Sequence, residues 1–104
     1  MTAGGGSTGP LPVEPLGIPS VARQLAAGAA SANTALTSTC KRMSMRAVGA
    51  DIRYMIGSAS QTATTTSHLI AMGERLDVAL PATPNIAVIR AGATSGTLEL
   101  SELI

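Results

Sequence analysis

At 104 residues the chain has room for one small domain and its tails, and too little for two independent cores. Apolar residues make up 45% and charged residues 12%, with one tyrosine and no Phe or Trp, so the core has to be filled by Ala, Val, Ile, Leu and Met. A net charge of +1 excludes a dominant polyanion-binding surface and an acidic solvating tail, and the single Cys40 excludes an intrachain disulfide.

Residues 1–19 carry five glycines and four prolines, so neither a helix nor a central strand runs through them. Leu11, Val13, Leu16 and Ile18 are interleaved with those prolines, which suits an extended arm laid on a partner better than a solvating linker. The start, Met1-Thr2-Ala3 and three glycines, lacks the cationic and apolar regions of a signal peptide. No stretch approaches the roughly eighteen apolar residues of a membrane span, so the expectation is a soluble chain made in the cytoplasm.

Residues 20–104 form the expected domain. From Ser20 the pattern has period two, broken by short clusters of Gly, Ser, Thr, Asn and Pro, and predicts an all-β fold. Residues 20–39 hold one or two strands, with Val21 to Ala27 read as strand although its propensity also allows two helical turns. Arg42 to Val48 is a clear strand with Met43, Met45 and Ala47 inward. After a turn at Gly49-Ala50, Asp51 to Ile56 follows as its hairpin partner, with Ile52, Tyr54 and Ile56 inward. Ser58 to Ser67, SASQTATTTS, has no large apolar or charged residue and reads as an exposed loop. Further strands are expected from His68 to Met72 and from Arg75 to Leu80. Ile86 to Ile89 is apolar on both faces, which marks it as buried or covered by a partner. Gly92 to Gly96 is a hairpin loop before a last strand, Thr97 to Ser101. Seven or eight strands at this spacing fit a small β-sandwich or barrel of jelly-roll-like type, with the extended N-terminal arm attached.

No constellation for catalysis or cofactor binding emerges. His68 is the only histidine and Cys40 the only cysteine, so no metal-ligand spacing exists. Ser67 and His68 are adjacent and, in a strand, point to opposite faces, unlike a nucleophile and its base. Asp51, Glu74, Asp77, Glu99 and Glu102 fall on polar phases or beside turns and read as solvated. The glycines at 4–6 and 92–96 lack the lysine and the strand-to-helix context of a phosphate loop. Lys41, Arg42 and Arg46 make a basic strand without the stacking aromatics of single-strand binders, so nucleic acid is not the expected partner. Residues 1–53 carry +3 and the remainder −2. Lys41, Arg42 and Arg46 are therefore candidates to pair with Glu99 and Glu102, between strands or between subunits. The missing aromatics point the same way. Each would bury roughly 150–250 Å², and burial across a subunit interface is the simplest replacement.

Several phrases together carry a resemblance: RAVGADIRYMIG from Arg46 to Gly57, QTATTTSH from Gln61 to His68, GERLD from Gly73 to Asp77, NIAVIR from Asn85 to Arg90 and GTLEL from Gly96 to Leu100. They resemble small β-rich virion proteins of tailed bacteriophages, in which a phrase of the type A-D-I-R-Y-x-I-G precedes a Thr/Ser-rich loop and a G-E-R-L-D turn. The resemblance spans Thr37 to Leu103, about two thirds of the chain. It implies a non-enzymatic virion protein present in symmetric copies, without cofactor, small-molecule substrate or membrane. The expected role is a capsid decoration or cement protein: a homo-oligomer, with a trimer favoured, whose arm lies across the major capsid protein. A head-fibre, neck or tail-tip component that binds the host surface through Ser58 to Ser67 is the alternative.

Overall fold

The computed structural model describes residues 18–104. The expected contacts of Leu11, Val13 and Leu16 lie outside the described residues. Eight strands follow in order: β1 (Pro19–Ala27), β2 (Ala32–Ala35), β3 (Arg42–Val48), β4 (Ile52–Gly57), β5 (His68–Ile70), β6 (Arg75–Ala79), β7 (Asn85–Arg90) and β8 (Gly96–Leu103). Val21 to Ala27 is strand, as the period-two reading predicts. Pro19 opens β1, and Ile18 pairs with Ile104: each N–H donates to the other's carbonyl, at 3.0 and 2.8 Å. The last two residues assigned to the arm thus lie alongside the C-terminal strand.

The pairs β1·β8, β2·β7, β3·β6 and β4·β5 are all antiparallel, so the chain is one long hairpin doubled back at the β4–β5 connection. Rolling that hairpin up lets β3 pair with β8 and β4 with β7. Two four-stranded sheets result, in the orders β1-β8-β3-β6 and β2-β7-β4-β5, which is the double-sheet jelly roll. The expectations of a β3–β4 hairpin and of a hairpin loop at Gly92 to Gly96 are corrected here, because each connection joins strands of different sheets. Gly49, with φ of 86°, turns the chain across the sandwich, and Gly92 to Gly96 likewise carries it from β7 to β8 in the other sheet. These two corners meet closely. A Cβ on Gly96 would lie 2.9 Å from the Val48 carbonyl oxygen, which only glycine avoids.

Between the sheets the core is aliphatic. Met43 and Met45 of β3, Leu98 of β8, and Ile52, Ile70, Ile86 and Val88 of the opposite sheet are all fully buried. Flexible methionines fill the irregular space that rings would otherwise occupy. Tyr54, the one aromatic, is only half-buried at the margin of this cluster. Cys40 is fully buried in the turn that leads into β3.

The segment 58–67 is a largely exposed loop, as the sequence predicts, with Ala63 its one buried residue, and the structure adds where it lies. It is strapped across the outer face of the β2-β7-β4-β5 sheet. The Gln61 N–H donates to Asn33 Oδ1 (2.9 Å) and the Ala63 N–H to Ser31 Oγ (2.8 Å), both on the far side of β7 from where the segment starts. Thr83 Oγ1 donates to the Ser58 carbonyl (2.8 Å) and Arg53 Nη1 to the Ser67 carbonyl (2.9 Å), pinning the two ends. Ala63 and Ala87 are buried as a result. The two-sided apolar run Ile86 to Ile89 is thereby covered, at Ala87, by the chain's own strap.

Candidate functional site

The outer face of the β1-β8-β3-β6 sheet is where the charged residues singled out from the sequence meet. Alternation sends Ala22, Gln24 and Ala26 of β1 to this face, Thr97, Glu99 and Ser101 of β8, Ser44, Arg46 and Val48 of β3, and Arg75 and Asp77 of β6. Register then aligns them in rows. Gln24, Glu99, Arg46 and Arg75 stand directly opposite one another in a single row across all four strands. Ala22, Ser101, Ser44 and Asp77 make the next row.

All residues of the two rows except Asp77 line a shallow depression of about 240 Å³. Arg46 has a carboxylate neighbour on one side and, on the other, a second guanidinium at a directly opposite position. Like charges so placed repel, which leaves the β3–β6 side of the row receptive to an added carboxylate or other anion. The β1 margin, with Ala22, Gln24 and Ala26, carries no charge on this face.

Of the other predicted partner residues, Lys41 is exposed just before β3, where its backbone bonds to Leu103 and Leu80. Arg42 begins β3 opposite Leu103 and Ala79. Ile18 remains 69% exposed beside Ile104, at 61%, so a small apolar knob marks the place where residues 1–17 join the sandwich. Arg46 and Glu99 are brought together; Lys41, Arg42 and Ile18 stand apart from them at the end of the sheet.

Glu102 corrects the sequence reading outright. The sequence predicts a solvated carboxylate here, whereas the side chain is fully buried inside the chain. It shares the phase of Leu98 and Leu100, and β8 continues two residues past Ser101, so alternation carries it inward. There it is ion-paired with Arg23 of β1, and the Thr37 N–H donates to Oε1 at 2.7 Å. Burial alone would raise its carboxyl pKa, but the Arg23 guanidinium and the Thr37 donors outweigh it and hold the group below its ordinary value. The phase was visible in the sequence as Leu98-x-Leu100-x-Glu102.

Tyr54 and His68, opposite each other on β4 and β5, stack with ring centroids 5.4 Å apart. Burial, with a smaller contribution from Glu74, raises the Tyr54 hydroxyl above its usual pKa. Beside them the strap turns on its own hydroxyls: Thr64 N–H donates to Ser67 Oγ (2.9 Å), and Ser67 N–H returns a bond to the Thr64 carbonyl (3.1 Å). The side chains of Thr62, Thr64, Thr65 and Thr66 are exposed from this fixed turn. No protein-family model, curated protein or solved structure matches the chain.

Proposed function

We propose that this chain is a virion structural protein of the capsid-decoration type, a homo-oligomer in which the jelly roll is the body and residues 1–17 tie it to neighbouring capsid subunits. The observation that carries the reading is the Ile18–Ile104 pairing. It fixes the root of the N-terminal segment at one end of the sandwich, so tension on that segment is borne by the β1–β8 pair. Leu11, Val13 and Leu16 would contribute on the order of 1.5–3 kcal/mol for each side chain fully buried on a partner, repeated over many symmetric sites. Jelly rolls serve in viral capsids and lectins alike, so the topology supports a particle component without selecting that role over others.

The test uses virions assembled from a genome that encodes the chain. The full chain is expected in purified particles, and deletion of residues 2–17 is expected to remove it from them while the domain stays folded. Absence of the full chain from the particles, or undiminished occupancy by the truncated one, overturns the reading.

The anchored strap favours one further reading, a host-surface binding module on a fibre or tail tip. Its hydroxyls are pre-ordered, which lowers the entropy lost on binding. Replacing Thr62, Thr64, Thr65 and Thr66 by alanine would then abolish binding of the purified protein to host cells. Unchanged binding would exclude the strap as the receptor surface.

A further inference from the structure

A jelly roll that stays open as two sheets has four edge strands, and each is a template for pairing with another chain unless something blunts it. Here β1 and β6 border one sheet, and β2 and β5 the other. Three of these are protected. β5 has three residues and β2 has four, too short to offer a ladder. β6 has five and exposes Arg75 and Asp77.

β1 is different in every respect. With nine residues it is the longest strand of the fold. Its only irregularity falls at Pro19–Val21, leaving Val21 to Ala27 regular against β8. Its one charged side chain, Arg23, is turned inward to Glu102 and does not guard the edge. The residues on its outer face, Ala22, Gln24 and Ala26, are small or neutral. Among the described residues nothing pairs with its free side.

We infer that the free edge of β1 is an interaction surface whose occupant is the β1 strand of a second copy, joined antiparallel about a two-fold axis. The sequence of β1 favours self-pairing about Gln24 over pairing about its neighbour Arg23. A two-fold axis normal to the sheet keeps every side chain on its own face while each N–H meets a C=O of the copy, so residues of like phase stand opposite and the axis passes through a residue of β1 and its copy. An axis at Arg23 would set two guanidinia opposite each other, which is unfavourable. An axis at Gln24 sets Gln24 against Gln24 of the copy, whose amides are self-complementary donors and acceptors. It also places Ala22 against Ala26 and Arg23 against Leu25, with no like charges and no crowding.

In this arrangement the two sheets fuse into one of eight strands. The Arg75, Arg46, Glu99, Gln24 row continues without a break into its two-fold image, carrying two arginine pairs at its outer ends. The contact builds dimers, and so replaces the trimer expected from the sequence. It deepens the homo-oligomeric part of the proposed function and is tested on purified protein, where its failure leaves attachment through residues 1–17 untouched.

The experiment is sedimentation of the full-length chain over a concentration series, with Gln24→Lys and Gln24→Glu made separately and then mixed. The wild type should dimerise. Each variant should dimerise at least about tenfold more weakly, a shift of about 1.4 kcal/mol, because a like charge now faces its own copy. The equimolar mixture should regain the dimer through Lys–Glu pairing. Gln24→Cys should close a disulfide with its copy under mild oxidation, and Ala22→Cys alone should not. Gln24 is exposed and stands opposite Glu99, so thermal midpoints taken at a dilution where every chain is monomeric should hold for Gln24→Lys and fall slightly for Gln24→Glu, which separates loss of pairing from loss of fold. A wild type that remains monomeric throughout, or variants that dimerise as well as it does, would falsify the inference.

Discussion

Glu102 joins three segments at one carboxylate: β8, which carries it, β1 through Arg23, and the β2–β3 connection through Thr37. Because the folded state holds this carboxyl below its unfolded pKa of about 4.3, the folded chain binds fewer protons there and is favoured as pH rises. The contribution is complete above the unfolded value and is lost as pH falls through the folded one. Glu102→Gln should remove that acid-side dependence and cost about 1.5 kcal/mol at neutral pH, measured by urea unfolding across pH. Arg23→Met should cost more, about 3 kcal/mol, because it strands a buried charge. The reverse order of the two would mean that the pair is held mainly by Thr37. Gly96→Ala tests a different constraint. Its Cβ would press on the Val48 carbonyl, backbone that cannot swing aside, and a loss of about 2 kcal/mol is expected in the same assay.

At the scale of elements, the strap from 58 to 67 turns a polar, featureless sequence into a cover for one sheet. Its anchors are single hydrogen bonds, donated to Ser31 and Asn33 and accepted from Arg53 and Thr83, each partly exposed, so it should open locally well below the free energy of global unfolding. Asn33→Ala is expected to speed hydrogen exchange at the Gln61 and Ala63 amides while leaving Ile52 and Val88 protected. Unchanged exchange at those two amides would show that burial of Ala63 suffices to hold the strap. The strands themselves were legible, because alternation in segments such as Met43-x-Met45-x-Ala47 has a direct cause in one buried face. The strap was not, since its partners lie 28 and 32 residues away and hydroxyl-rich sequence has no period to read. The corner at Gly49-Ala50 was misread for a related reason. A glycine with positive φ serves a hairpin and a sheet-to-sheet crossing equally well, and only the partners of β3 and β4 distinguish them.

The whole molecule is defined by nesting: the innermost pair, β4·β5, is closed by the strap 58–67, and the outermost, β1·β8, joins the two ends of the domain. The all-β class and the strand count were legible from the sequence. The pairing of Pro19 with Leu103 was not, because nothing local to either residue encodes it. The charge asymmetry was informative only in part, since one acidic member faces inward and another lines up on the open face. Contacts this distant in sequence should make folding slow, on the order of milliseconds to seconds in stopped-flow refolding, and microsecond refolding would contradict the nested order. During synthesis the same nesting sets a schedule. β1 leaves the ribosome before every other strand and β8 after them all, an interval of roughly 4–15 s at the usual pace of translation. Throughout it both margins of β1 are bare, and neighbouring nascent chains on one message expose the same segment at the same time. Were copies to pair through β1 as proposed, that pairing would have its first opportunity before any single copy has closed its own sheet.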